Sequence, residues 1–449
     1  MFLVLRLYWV FLKSFFTALS GGHSALAIAW TSWTQSHTYR IIGSNAAKDP
    51  LAFFRYWLRS IKKIWKEGRS INPVDGIESN GVIAYYQEQW QTDHYLPYLQ
   101  RLVHRPISGI LLREEMGLKG HLPAKLLISL LLLTFSVILF PFFLFSKKKG
   151  ATALMQLQFV ENLMLTCILK NQGVEYVYFF GGFENDANLT AVFLQVAGIK
   201  LHKVPSSNPI KNFYAKVVSD AFSFTAPFQQ EEYLHLQKNW FVEKTVLWPI
   251  FNFTRLMPFI AANFHAPARN TIGFLSRGMW LRKERGDSFL GVGEDVAEYE
   301  AMNALKEYLL KHTDVTLWIF THPIERKTPE LYAKANAYYR SYFDGCKVSL
   351  PPADKSSYEL FHTVDLALAS VSSSNMERLF CGYKTLYAPI GLTIDLFEGT
   401  AVDKIVCKTG ASLVIKIEES LQFSTDEFFA NNGLKGYRYL DYPELMHGK

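Results

Sequence analysis

Cysteine is scarce and scattered: the four in the chain, at positions 167, 346, 381 and 407, form no CxxC pair and no cluster at metal-ligand spacing. That pattern excludes a disulfide scaffold and a structural zinc site, and it suits a reducing compartment. Charge is thin as well, at 19% of residues against 49% hydrophobic, a balance that excludes a disordered chain. No P-loop, Asp-x-Asp or GxSxG motif occurs, which disfavours an NTPase, a metal-dependent transferase and a serine hydrolase. Zinc-finger and basic-zipper patterns are missing too, and aromatics do not interleave with basic residues as in RNA binders, so nucleic acid is not an expected partner. Internal repeats and low-complexity tracts are also lacking.

What the chain has in excess is apolar and aromatic surface: 35 Phe, 23 Tyr and 10 Trp. Its 449 residues suit two α/β lobes plus extensions. The net charge of +7 is concentrated in Arg40, Lys48, Arg55, Arg59, Lys62, Lys63, Lys66 and Arg69, and in a run from Lys147 to Lys149. Anionic lipid accounts for this clustering better than nucleic acid does. Beside the lysine run lies LLISLLLLTFSVILFPFFLFS, free of charge and long enough as a helix to cross hydrocarbon of about 30 Å. Basic residues on both flanks oppose a simple span, and Pro141 favours a kink, so a re-entrant or in-plane hairpin over 126–146 is expected ahead of a span. At the start, MFLVLRLYWVFLKSFF puts Arg6 and Lys13 on one helical face, the pattern of an interfacial anchor; Lys13 interrupts the apolar region a cleaved signal would need. Membrane lipid is therefore an expected partner, at the cytoplasmic face of the inner membrane.

From Gly81 onward, short β-rich runs alternate with helical patterns: GVIAYY, a helical stretch near Trp90 to Leu102, ISGILL, then EYVYFF, IKLHKVPS, DAFSFTAP and the helical QQEEYLHL. The alternation resumes with TIGFLSRG, VTLWIF, CKVSL, VDLALAS and KTLYAP, with helical segments between them. This is the grammar of parallel, doubly wound sheets that bind ligands at the carboxyl ends of their strands. The expected divisions are an anchoring segment at 1–40, a first lobe at 41–265 with the apolar insertion 126–146, and a second lobe at 266–449.

Two strand ends carry candidate chemistry. Thr321-His322-Pro323 follows VTLWIF, and the proline biases His322 to an extended backbone at the strand's carboxyl edge. An imidazole there could donate to a phosphate oxygen and support a departing nucleotide without metal. After VDLALAS come Ser372, Ser373 and Ser374, just before a helix whose free N–H groups attract anions. Ser374-x-x-Glu377 also reads as a capping box, and Glu377 could instead accept from ribose hydroxyls. In the first lobe, Glu184 and Asp186 follow EYVYFF and a glycine pair. Either acid could deprotonate an acceptor hydroxyl, although the same residues suit an Asx-type turn and helix N-cap. Pro205 to Pro209 reads as a plain turn.

The pair His322-Pro323 with Ser372-Ser373-Ser374, about fifty residues later, resembles the His-Pro and serine-pair motifs of bacterial sialyltransferases and related polysaccharide-forming transferases of the two-lobed GT-B fold. The resemblance covers roughly residues 270–400. It implies a CMP-activated acidic sugar as donor, with His322 at the phosphate supporting the leaving group and Ser373 and Ser374 on phosphate oxygens. It also places Glu377 where many GT-B enzymes hold ribose, and Ser276-Arg277-Gly278 in the loop that meets donor phosphates, Arg277 supplying charge. Those sialyltransferases carry an acidic Asp/Glu-Asp/Glu-Gly motif as general base in the first lobe. This chain lacks it, and Glu184-Asn185-Asp186 is the nearest candidate.

The expectation is thus an α/β chain of two Rossmann-like doubly wound lobes (GT-B), with an apolar membrane-associating insertion in the N-terminal lobe. The expected activity is that of an inverting, metal-independent glycosyltransferase without a cofactor. Its donor would be a CMP-activated sialic-type acid first and a UDP-sugar second, and its acceptor a saccharide or glycolipid of surface polysaccharide or lipopolysaccharide. The rival readings are a non-catalytic membrane-bound scaffold that kept the fold after losing its base, and a sugar-nucleotide epimerase on the same plan.

Overall fold

The computed structural model describes residues 2–19, 25, 29, 51–66, 81–86, 96, 99–100, 107–111, 122–145, 149–181, 186–205, 216–224, 230, 240–247, 256–260, 270–286, 293–393, 395, 397–434 and 436–441. Two compact units divide the chain. Unit 1 is Met1–Pro209 with Phe213–Thr225 and Tyr233–Trp248; unit 2 is Ile210–Asn212, Ala226–Glu232 and Pro249–Lys449.

Unit 1 holds helices α1 (Phe2–Leu19) and α2 (Ala52–Trp65), strands β1 (Val82–Tyr86) and β2 (Ser108–Leu111), then helices α3 (Leu122–Phe145) and α4 (Lys149–Asn171). It continues through β3 (Tyr176–Gly181), α5 (Asp186–Val196), β4 (Lys200–Pro205), β5 (Val217–Phe224) and β6 (Trp240–Leu247). The strands form one sheet in the order β2-β1-β3-β4-β5-β6, parallel throughout. Because β1 pairs with β3, with Ala84 opposite Tyr178, a single sheet straddles the apolar block. β5 is buried along nearly its whole length, as expected of a parallel strand covered on both faces. Asn188 ties α5 to that strand: its Oδ1 accepts from Val218 N at 2.8 Å and from Lys203 Nζ, and its Nδ2 donates to Lys216 O at 2.9 Å.

Pro141, where the sequence favours a kink, lies inside α3. α3 runs as one helix through Pro141, which sits exposed in the helix's last turns and removes the donor that Val137 O would otherwise meet. Each of its three hydroxyl residues bonds to a different neighbouring helix. Ser129 Oγ accepts from Trp65 of α2 at 3.2 Å, Thr134 meets Tyr8 of α1 at 2.8 Å, and Ser136 donates to Gln156 of α4 at 2.6 Å. Phe11, Phe135 and Phe159 pack as an aromatic core between α1, α3 and α4. α4 is apolar as well, yet it is largely enclosed, with Phe159, Val160, Leu163 and Met164 fully buried; it is a core helix.

Unit 2 begins with β7 (Thr271–Leu275), α6 (Met279–Glu284), α7 (Glu294–Lys311), β8 (Thr316–Phe320), α8 (Pro329–Tyr342) and β9 (Lys347–Ser349). It ends with β10 (Leu366–Ala369), α9 (Ser373–Phe380), β11 (Lys384–Tyr387), α10 (Gly410–Gln422) and α11 (Thr425–Asn431). Its parallel sheet has the order β11-β10-β7-β8-β9. The chain therefore moves outward from central β7 through β8 and β9, then returns to the other side through β10, a switch point at the carboxyl ends of β7 and β10. Two buried cations clamp this side. Arg378 is fully buried and donates to the carbonyls of Phe361 and of Val364, the latter at 2.8 Å, while facing the Tyr383 ring. Lys384 pairs with Asp365 at 2.8 Å and donates to the carbonyls of Ser420 and Phe423. The chain is thus two Rossmann-like parallel α/β lobes in series, the lobe plan of GT-B proteins, with the apolar helices inserted in the first.

Several sequence-based readings fall outside the described residues: most of the helical stretch near Trp90 to Leu102, nearly all of QQEEYLHL, the turn after Pro205, and Glu184. Asp186 opens α5, but its side chain is also outside the description.

Candidate functional site

The carboxyl ends of β7, β8 and β10 each lead into a loop that carries predicted site residues, and short hydrogen bonds tie the first two loops together. After β8, His322 has the extended backbone its proline demands, φ −66° and ψ 148°, and caps the 3-10 turn Pro323–Arg326. Its Nδ1 accepts from Ile324 N at 3.2 Å. The ring proton must then sit on Nε2, which leaves that nitrogen as a donor facing away from the turn. Burial pushes the imidazole down to about 4, and the charges of Arg282, Arg277 and Arg326 push in the same direction. At neutral pH His322 is a neutral, orientated N–H donor within a cationic surround.

Glu325 is the hub beneath it. This fully buried carboxylate accepts from His322 N at 2.7 Å and Ser276 Oγ at 2.8 Å on one oxygen, and from Trp280 Nε1 at 2.5 Å and Tyr339 OH at 2.8 Å on the other. Burial pushes its carboxyl upward, against the pull of those donors. Two loops are therefore held by one side chain. Glu298 performs the parallel task for the Ser276-Arg277-Gly278 loop, accepting from Arg277 N at 2.8 Å and Met279 N at 3.1 Å. Complete burial outweighs both bonds and pushes Glu298 up to about 7.

The first predicted loop is thereby divided in its roles. Ser276 is buried, and its hydroxyl is engaged within the loop by Glu325, by Tyr339 at 2.5 Å and by Gly278 N at 2.8 Å. Arg277 is only partly exposed and pairs with Glu294 at 3.0 Å. Gly278 has φ +66°, and a Cβ there would stand 3.0 Å from Ile324 and 3.1 Å from Glu325. Only glycine allows both that backbone and that approach of the two loops.

At the end of β10 the cap falls two residues earlier than the Ser374 capping box predicted. Helix α9 starts at Ser373, and Ser372 is the N-cap, its Oγ accepting from Ser374 N at 3.2 Å. That leaves the half-exposed hydroxyls of Ser373 and Ser374 with no hydrogen bond recorded among the described residues. Glu377 turns inward instead: it is 2% exposed and accepts from Tyr358 OH at 2.6 Å. Among the described residues, no group of three or more His, Cys, Asp or Glu is arranged to hold a metal ion. A separate depression of about 440 Å³, lined by Trp280, Tyr299, Tyr338, Lys283 and Lys334 among others, contains none of the predicted residues.

Sequence reading placed His322 at the strand end with an extended backbone, as observed, but passed over Glu325, Glu298, Arg282 and Arg326. Glu325 did leave a signal, since His322-Pro323-x-Glu325 has a cap, a proline at the first helical position and an acid at the third, as in a capping box. Glu298 left none, being 21 residues from the backbone it holds.

No protein-family model matches the chain, and no curated protein sequence matches it either. Among solved structures it is similar to UDP-GlcNAc 2-epimerase from Neisseria meningitidis bound to UDP-GlcNAc, at 11% identity and a TM-score of 0.47, covering 82% of this chain and 98% of that one. It is also similar to a glycosyltransferase from Rickettsia africae, at 13% identity and 0.42, over 81% and 95%. A sucrose-phosphate synthase from Thermosynechococcus elongatus matches at 10% and 0.36, over 66% and 80%. The two parallel sheets, not these likenesses, carry the fold assignment.

Proposed function

We propose that the chain is a metal-independent, inverting glycosyltransferase whose unit 2 binds a nucleotide-sugar donor by its phosphates, a UDP-sugar ahead of a CMP-activated acid. The observation that carries this reading is His322: a neutral imidazole with its proton fixed on Nε2, at a strand's carboxyl end, within the field of Arg277, Arg282 and Arg326. Positive charge from Arg282 and Arg326, beside Arg277 already paired with Glu294, suits the concentrated charge of a pyrophosphate. The CMP reading is supported by motif likeness alone.

In the proposed displacement, the acceptor oxygen bonds to the anomeric carbon while the bond from that carbon to the phosphate oxygen breaks, and its electron pair stays on the leaving nucleotide. His322 donates to the oxygen on which this charge grows, and the arginines lower its cost. The hydroxyls of Ser373 and Ser374 hold phosphate in the ground state. The acceptor proton goes to a first-lobe base, for which Glu184 and Asp186 remain the proposed residues. The acceptor is a saccharide or glycolipid, and the workplace is the cytoplasmic face of the inner membrane.

Thermal-shift titration with UDP, CMP and inorganic phosphate tests the donor. UDP is expected to raise the melting temperature most. A larger shift from CMP would reverse the donor assignment, and no shift from either nucleotide at millimolar concentration would sink the reading. Slow donor hydrolysis without acceptor separates a transferase from a non-catalytic scaffold.

A further inference from the structure

Helices α1, α2 and α3 of unit 1 each leave one apolar stripe in solvent, and the stripes are laid out by a common rule. On α1 the exposed apolar residues are Phe2, Leu5, Trp9 and Phe16. At about 100° per residue they fall within an arc of roughly 60°. Exposed Arg6 and Lys13 occupy the next arc round. α2 repeats the layout: Phe54, Leu58 and Trp65 form the apolar arc, and exposed Arg55, Arg59, Lys62 and Lys66 form the adjoining one on the same side. Lys63 is the exception, because it turns inward to Glu161. Neither helix contains an acidic residue.

The α3 stripe differs in carrying no charge, with Leu126, Leu130, Leu133, Val137 and Leu144 exposed. Its contacts locate it between the other two. α1 flanks one edge through Tyr8 on Thr134 and Phe15 on Phe142, 5.3 Å between ring centres. α2 flanks the opposite edge through Trp65 on Ser129 and Phe53 on Phe140, 5.4 Å apart. The three stripes are thus one surface, apolar along its middle and basic along the two flanking helices.

We propose that this surface docks flat on an anionic bilayer, with α3 sunk among the acyl chains and α1 and α2 lying at headgroup depth. Basic arcs beside apolar arcs along whole helices fit an interface and forbid a span by α1 or α2. The inner half of α3 is committed to α1, α2 and α4, so spanning would require it to abandon that packing. A partner protein or a second copy would have no need of an acid-free basic margin, whereas anionic headgroups complement it. This inference concerns unit 1 and does not depend on the nucleotide reading.

The test is sedimentation of the full chain with vesicles of phosphatidylglycerol and phosphatidylcholine, against phosphatidylcholine alone. The triple variant R55Q/R59Q/K62Q should lose affinity for the anionic vesicles by roughly fivefold per charge, about a hundredfold in all, with little change on neutral ones. Leu133→Glu should weaken binding to both. All four positions are exposed, and an unchanged UDP or heat-denaturation profile confirms folding. Brominated lipids should quench Trp9, as judged by the loss of quenching in Trp9→Phe. Equal binding of the triple variant and the parent to anionic vesicles overturns the proposal. So does a vesicle-independent dimer that Leu133→Glu abolishes, which would assign the face to a second copy.

Discussion

Replacing Glu325 by Gln leaves the shape of the hub intact and removes one of its two acceptors. Each carboxylate oxygen serves one fixed donor and one hydroxyl: His322 N with Ser276 Oγ, and Trp280 Nε1 with Tyr339 OH. A hydroxyl can rotate and accept from the new amide, but neither the backbone N–H nor the indole N–H can. Whichever way the amide turns, one buried N–H faces an NH₂ group with no acceptor. Such an orphaned donor costs about 1–3 kcal/mol, and the remaining bonds weaken because their acceptor has lost its charge. Relief from burying a carboxylate, which already pushes Glu325 upward, returns part of this. The expected net loss is about 3 kcal/mol, in the unfolding transition that carries the Trp280 near-UV signal. Urea denaturation of Glu325→Gln beside the exposed control Glu330→Gln measures it. A loss below about 0.5 kcal/mol would refute the claim that this side chain joins the two loops.

Four further outcomes follow from the same geometry. His322→Ala should lower donor turnover about 10²-fold and nucleotide affinity far less, whereas His322→Asn keeps an acceptor for Ile324 N and should recover stability but not turnover; equal kinetics for parent and Ala variant would rule out the donor role. Ser373→Ala and Ser374→Ala should instead weaken nucleotide binding, read by calorimetry, because a phosphate contact made in the ground state appears in affinity. Gly278→Ala forces a side chain into φ +66° against Ile324 and Glu325, so a melting temperature lowered by several degrees is expected. For pH, His322 is held near 4 when folded, so as pH falls below about 6.5 the unfolded chain takes up its proton first and stability drops; Glu298, held near 7, does the reverse between about 4.5 and 7. Glu298→Gln removes the second slope, so its stability should fall more steeply than the parent's as pH drops, by about 1.4 kcal/mol per pH unit between pH 4.5 and 6.5, where parallel profiles would contradict the assignment.

The strands of unit 2 were legible because both faces of a parallel sheet are covered, which forces unbroken apolar runs such as TIGFL, TLWIF and LALA. His322 was legible for a local reason, since the proline after it restricts its backbone whatever the tertiary setting. Ser372 was misassigned because three consecutive serines are equivalent caps until the helix start is known. Glu298 reaches its loop across 21 residues, and only the completed fold brings it there. The apolar block posed a different problem. Uniform Leu and Phe show no period, so nothing local distinguishes the half of α3 that packs on protein from the half left exposed. Each of its three hydroxyls is a bond to a separate helix.

The hydroxyls of α3 and the carboxylates of unit 2 have one physical situation in common. In both places a polar side chain is tied to a neighbouring element that supplies its partner, which makes the polar group a statement about assembly before it is one about chemistry. Ser276 belongs to that class: its hydroxyl is consumed by Glu325, Tyr339 and Gly278. Glu377 belongs to it through Tyr358. His322 does not, because capping the turn uses Nδ1 alone and leaves a proton on Nε2. Ser373 and Ser374 do not either, since the cap was taken by Ser372. Subtracting the groups already engaged reduces nine predicted unit 2 positions to one imidazole donor and two hydroxyls, standing at the carboxyl ends of β8 and β10 on either side of central β7. What is left over is one imidazole N–H and two hydroxyls beside guanidinium charge, and the proposed phosphate contact rests on these three groups.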